Sequence, residues 1–121
     1  MGRDRNRELI AEYPWLDIGD KQLTLLDTLP MGWHDLILDM CQEIKQALPK
    51  ELVAKYQVIE VKEKWYELRW YDGLDDLSPM PSAITDIVCK YEMQSKEVCM
   101  MCGAPKPKDQ EMCDRCMGRH R

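Results

Sequence analysis

Residues 99–116 read Cys99-Met100-Met101-Cys102-Gly103-Ala104-Pro105-Lys106-Pro107-Lys108-Asp109-Gln110-Glu111-Met112-Cys113-Asp114-Arg115-Cys116. Two C-x2-C pairs separated by ten residues are the ligand pattern of a tetrahedral thiolate site. Two residues between ligands let the backbone curl so that both sulfurs face one point. Gly103, directly after the first pair, permits the left-handed turn such knuckles use. Pro105, Pro107 and Lys108 make a stiff polar loop that lets the second pair fold back on the first. The spacing therefore predicts a structural Zn2+ held by Cys99, Cys102, Cys113 and Cys116. Iron accepts the same thiolates and is the alternative metal, whereas a redox dithiol has no need of a second pair. Four protein ligands leave no open position for water, so the site is structural rather than catalytic. Metal binding in such knuckles is worth on the order of 10 kcal/mol of folding, and the tail has few apolar residues with which to order itself otherwise.

Upstream of the cysteines the patterning is that of a small α+β body over residues 1–98, with 99–121 as the metal-binding ribbon. Arg7 to Ile18 reads as a short helix stopped by Pro14. Residues 19–30 read as irregular, with Leu23, Leu25, Leu26 and Leu29 tucked onto the body. The strongest periodicity lies in 31–48, where Trp33, Leu36, Ile37, Met40, Ile44 and Leu48 form one helical stripe before Pro49. Residues 56–71 alternate as two strands of a hairpin turning at Glu63, Lys64 and Trp65. Ile59 and Val61 fall on one face of the first strand, and Glu60 and Lys62 on the other. On the second strand Tyr66, Leu68 and Trp70 share one face, and Glu67, Arg69 and Tyr71 the other. Asp72 and Gly73 end that strand, and a loop to residue 80 carries Asp75 and Asp76. Pro81 or Ser82 opens a second long helix whose stripe is Ile84, Ile87, Val88, Tyr91, Ser95 and Val98. The expected architecture is two main helices packed on a small antiparallel hairpin, with the four-cysteine ribbon at the end of the last helix.

Composition bounds the function. The 121 residues are 45% hydrophobic and 32% charged, which suits a globular chain rather than a disordered one. Phe is absent, so four Trp, five Tyr and nine Met supply the bulk, and a core with a polar edge follows. Met1 to Glu8 has no apolar run of a signal peptide. Asn6 stands where a myristoylation signal carries Ser or Thr. No stretch reaches membrane-spanning length. These features point to a soluble cytoplasmic protein, and in a reducing compartment six cysteines argue for metal before disulfides. Residues 1–95 carry 11 Lys and Arg against 18 Asp and Glu, a balance of −7, while residues 96–121 carry 6 against 4, a balance of +2. An acidic body does not attract phosphate backbones.

The order of short motifs carries a resemblance. Glu12-Tyr13-Pro14 comes first, then Gly32-Trp33-His34-Asp35-Leu36-Ile37 with Cys41 and Ile44. Val61-Lys62-Glu63-Lys64-Trp65 follows through Leu68-Arg69-Trp70-Tyr71, and then Ser95 with Cys99-Met100-Met101-Cys102-Gly103. Over residues 10–116 this resembles a family of small zinc-knuckle proteins of bacteriophages and prophages. The chain departs from the pattern at Tyr66, where the family carries a turn Gly, and in the second knuckle, which lacks the usual Gly-Trp. The resemblance implies a phage or prophage origin and host-cell cytoplasm as the location, with no enzyme activity to carry over. Small phage proteins of this kind include inhibitors of host defences such as anti-CRISPR proteins, which makes a host protein, including a defence nuclease complex, the implied partner.

Other candidate residues are weighed against plainer roles. Glu60-Val61-Lys62 resembles the Glu-x-Lys of restriction-type nucleases, but the Asp-bearing strand such a site requires is missing. A charged outer sheet face with Glu60, Lys62, Glu67 and Arg69 in cross-strand pairs accounts for the same residues. His34 and Asp35 have no nucleophile to serve, and Asp35 suits the positive end of a helix. Cys41 and Cys89 read as small hydrophobes. An acidic surface of Asp35, Asp39, Asp72, Asp75 and Asp76 can present phosphate-like charge to a nucleic-acid groove on another protein. Lys106, Lys108, Arg115, Arg119 and Arg121 can make a basic ribbon face for nucleic acid. The sequence thus reads as a non-catalytic binding protein acting on a protein partner. A nucleic-acid-binding zinc-ribbon accessory protein is the second reading, and nothing points to a small-molecule substrate.

Overall fold

The structure, a computed structural model, describes residues 2–19, 23–74 and 81–119. Helix α1 spans Gly2–Glu12. It begins earlier and ends sooner than the sequence pattern indicates, because Pro14 cannot continue it. The chain drops into a 3-10 turn at Pro14–Leu16 that buries Trp15 and Leu16. The segment expected to be irregular contains another 3-10 turn, Leu25–Thr28, closed by a capping box in which the Thr24 amide donates to Asp27 Oδ2 at 2.7 Å. Leu26 and Leu29 are buried as expected, but Leu23 is exposed.

The long periodic stretch forms one 3-10 turn at Met31–Trp33 and then helix α2, His34–Ala47. Its stripe is the middle of the core, with Trp33, Ile37, Met40, Cys41 and Ile44 fully buried. Leu48 ends the helix before Pro49, which fits the restricted backbone of a residue preceding proline.

Strands β1 (Tyr56–Lys64) and β2 (Glu67–Leu74) pair antiparallel. The turn is Trp65-Tyr66, one residue later than expected, with φ of 55° and 66°. Two consecutive left-handed residues between paired Lys64 and Glu67 are the geometry of a tight primed turn, normally the territory of Asn and Gly. Glu63 Oε2 braces it by accepting from the Tyr66 amide at 2.7 Å. A bulge between Val58 and Glu60 shifts the register. It turns Ile59 outward, so Ile59 does not share the face of Val61. The two-residue turn at Trp65-Tyr66 sets Lys62 opposite Arg69, so the expected cross-strand charge pairs do not form. The ion pairs run along each strand instead, Lys62 to Glu60 at 3.8 Å and Arg69 to Glu67 at 2.9 Å. Glu67 is itself buried, within 3.6 Å of Lys96, rather than on an open outer face.

Helix α3, Ser82–Ser95, buries Ile84, Val88, Tyr91 and Ser95, much as its sequence stripe predicts. It packs on α2 and along β2. Two main-chain donors of β2 end on its side chains. Leu68 N–H donates to Ser95 Oγ at 2.8 Å, and Trp70 N–H to Glu92 Oε2 at 2.8 Å. The core has the polar edge expected of a chain without Phe. Trp15 Nε1 donates to Cys41 Sγ at 3.3 Å, Trp70 Nε1 to the Tyr56 hydroxyl at 2.9 Å, and the Tyr56 hydroxyl to Asp72. Burial pushes the Cys41 thiol up to about 12, against the Trp15 bond that lowers it, so this thiol is an inert core residue.

Ser95→Ala leaves the buried Leu68 N–H without an acceptor. The expected loss is about 1–3 kcal/mol of folding stability, read from the denaturant midpoint, with Ser95→Thr closer to wild type.

Candidate metal centre

The sequence after α3 folds back on itself before the metal ligands are complete. Val98 bridges Pro105, Cys99 N–H donates to Ala104 O at 2.7 Å, and Lys106 N–H donates to Glu97 O at 3.0 Å. This short ladder encloses the first knuckle. Gly103, at φ +82°, makes the left-handed turn and donates its N–H to Cys99 O at 2.9 Å. The second pair flanks the start of helix α4, Asp114–Arg119, with Cys113 just before it and Cys116 within it. Met100 N–H donates to Glu111 O at 3.3 Å, tying the two halves together.

The sulfurs of Cys99, Cys102, Cys113 and Cys116 lie within 4.8 Å of one another. Cys102 Sγ and Cys113 Sγ are 3.7 Å apart. A tetrahedron of thiolates about an ion with bonds of about 2.3 Å has edges of about 3.8 Å. The four residues therefore fit a metal ion, and among the described residues they form the one cluster of three or more such ligands. Cys99, Cys113 and Cys116 are buried, and Cys102 is exposed.

The thiols are arranged to share negative charge. Burial raises Cys99, but N–H groups from Cys113, Cys102 and Met101, with the Cys102 thiol, bring it down to about 6. Two of those amides, of Met101 and Cys102, lie 3.4 and 3.5 Å from its sulfur. Cys116 is driven the other way, up to about 12, first by its hydrogen bond to Cys102 and then by burial and the other two sulfurs. Four thiols this close cannot all ionise alone, and a cation among them removes the conflict.

What joins this centre to the body is Gly32. Its N–H donates to Met100 O at 2.9 Å, and its Cα lies flat against the knuckle. A Cβ there would collide with the Cys99 carbonyl oxygen and come within 2.7 Å of the Met100 carbonyl carbon and 2.8 Å of the Gly103 nitrogen. The next residue, the buried Trp33, donates its Nε1 to Val98 O at 3.3 Å. Val98 and Met100 pack against the main core. The Gly32-Trp33 pair thus holds the ribbon against the start of α2. Its signal in the sequence was a glycine ahead of a buried aromatic at a helix start, which carries no meaning until the knuckle is seen beside it.

The other candidate residues are placed differently from expectation. Lys106 is not a surface cation. It is 6% exposed, and its ammonium donates to Lys96 O and, at 3.2 Å, to Pro107 O. Burial lowers its pKa, against the charges of Cys99, Asp109 and Glu97. Lys108 and Arg115 are exposed, but so are Asp109, Glu111 and Asp114. Arg119 ends α4, while its side chain and Arg121 lie outside the described residues. Asp35 and Asp39 are exposed on α2, but Asp72 turns inward to the Tyr56 hydroxyl. Its desolvation raises its pKa, against the Tyr56 bond. Asp75 and Asp76 lie outside the described residues. The acidic surface is therefore not assembled from Asp72. Glu60 and Lys62 are exposed and pair with each other. The His34 Nε2 faces Leu29 O at 3.2 Å, an acceptor, so that nitrogen carries its proton in a purely structural contact.

Comparison with family models, with curated proteins and with solved structures finds no match to this chain. No helix among the described residues is long and apolar enough to cross a membrane.

Gly32→Ala forces the knuckle off the body. The expected cost is about 1–3 kcal/mol, measured by thermal or chemical denaturation with metal present. Gly118→Ala, where a Cβ meets nothing within 4 Å, serves as the neutral control.

Proposed function

We propose that the chain is a non-catalytic binding protein whose ribbon is held by a structural Zn2+ and which acts on a protein partner. The observation that carries the choice of partner is what the ribbon shows to solvent. Lys106, in the loop between the two cysteine pairs, is spent on internal carbonyls. Among the described residues of the ribbon, the exposed cations Lys108 and Arg115 are interspersed with three exposed carboxylates. Beside the Gly32 junction, by contrast, Met31 is 76% exposed and Met101 is 45% exposed. Methionine is flexible, polarizable and frequent on protein-recognition surfaces. Exposed methionines on the two segments that meet at the Gly32 contact suit a protein surface better than a phosphate backbone.

The resemblance in motif order supports a phage or prophage source and a host protein as target, with inhibition of a defence nuclease complex, as by an anti-CRISPR protein, the outcome that reading implies. Zinc is favoured over iron because the role argued here is a rigid staple, with nothing in it for a redox-active ion. All four ligand positions come from the chain, which leaves the ion to brace the fold.

Purified protein is expected to carry one zinc equivalent per chain by elemental analysis. Zinc returned to the stripped chain is expected to release protons as thiols become thiolates. Iron in its place, or less than half an equivalent of any transition metal, refutes the zinc assignment. The double variant Met31→Glu with Met101→Glu is expected to keep its zinc and its melting temperature while losing the host protein captured by wild type. Undiminished capture, or tight nucleic-acid binding that falls steeply with salt, counts for the ribbon as a nucleic-acid module instead.

A further inference from the structure

The two edges of the hairpin are treated differently. The outer edge of β2 is closed by α3, whose Ser95 and Glu92 accept from Leu68 and Trp70 N–H. Leu68 stands opposite Glu63, and Trp70 opposite Val61. In an antiparallel pair, directly opposed residues either exchange both bonds or turn both sets of groups away. The main-chain groups of Val61 and Glu63 therefore point outward on the side away from α3. No hydrogen bond to them is recorded among the described residues. An open edge of this kind is a template for another strand. The bulge at Ile59 and the turn at Trp65 limit the usable length to the few residues between them.

That short run is complementary to itself. Reversed about Lys62, Ile59-Glu60-Val61-Lys62-Glu63-Lys64-Trp65 sets Glu60 opposite Lys64 of a second copy, twice over. Val61 then meets Glu63 of the second copy, and both have outward main-chain groups, so each such pair exchanges two hydrogen bonds. Ile59 in the bulge and Trp65 in the turn, 71% and 79% exposed in the single chain, flank this run as its apolar ends. Only Lys62 meets its own kind, at the axis. Its ammonium is drawn aside by its own Glu60 at 3.8 Å and by the Tyr71 ring at 5.7 Å. An unrelated peptide would have no reason to match this order of charges and apolar ends.

We infer that the outer edge of β1 is a two-fold interface between copies of this chain, giving a four-stranded antiparallel sheet with an α3 at each outer edge. The interface is short, so the dimer forms in a concentration-dependent way. It stands independently of the proposed partner and of which metal the ribbon holds.

The test is sedimentation equilibrium of the metal-loaded full chain between about 10 μM and about 1 mM. Wild type is expected to approach the mass of two chains. Lys64→Glu and Glu60→Lys, both on exposed side chains, are each expected to weaken association by about tenfold or more. The double charge swap is expected to restore it to within about threefold of wild type. A chain that stays monomeric throughout overturns the inference, even if it takes up an added extended peptide. So does a dimer indifferent to Lys64→Glu, or single-variant losses that the swap fails to repair.

Discussion

A glycine backbone lying flat against a cysteine knuckle is the contact on which this architecture turns. Gly32 has no side chain, so the Cys99–Gly103 loop can approach the start of α2 at main-chain distance and bond to it directly. Trp33 then fills the core behind that contact while its indole nitrogen holds Val98. The four cysteine sulfurs converge as ligands of one ion would, and an ion held there would stiffen the loop that Gly32 brings against the hydrophobic core. A bulkier residue at position 32 would break that approach and leave the Trp33 bond and the packing of Val98 and Met100 to hold the ribbon.

Within the apolar core, the polar atoms of its aromatic residues are matched with partners. Without Phe, the core is built from indoles and phenols whose polar atoms must find partners. Trp15, Trp33 and Trp70 each donate to a named acceptor, and Tyr56 passes the chain of bonds to Asp72. The same economy appears at the sheet edge, where α3 supplies side-chain acceptors in place of a third strand. A two-stranded hairpin is marginal alone. Here one edge is capped by a helix, one face is core, and the tip is held in a strained turn by Glu63.

These arrangements shape what the protein can do. The four clustered cysteines would fill every position of a tetrahedral ion, and burial in the core pushes the Cys41 thiol up to about 12. Of the charged residues that invite a nuclease or nucleic-acid reading, Glu60 and Lys62 pair with each other and Lys106 turns inward, while Lys108 and Arg115 stay exposed. The exposed methionines at the knuckle junction and the outward main-chain groups of β1 carry the proposed recognition and self-association.

Much of this was legible in the residue order. The cysteine spacing picked out the four sulfurs that converge, because tetrahedral coordination by two knuckles admits few spacings. Helical periodicity placed α2 and α3 because 3.6-residue stripes reveal buried faces directly. The hairpin was visible as alternation, but its details were not. The bulge took Ile59 off the face of Val61, and the turn at Trp65-Tyr66 set Lys62 against Arg69, since one residue of shift changes register and no local pattern announces it. Lys106 read as a surface cation because Lys usually is one, and only the folded ribbon shows the carbonyls that take its ammonium. Asp72 and Gly32 are the same case. Each owes its role to a neighbour more than ten residues away, Tyr56 for one and the knuckle for the other. Local sequence determines spacing, periodicity and turn chemistry. Which polar groups are buried, and which backbones touch, depends on contacts between distant segments, and those were decided only by the tertiary structure.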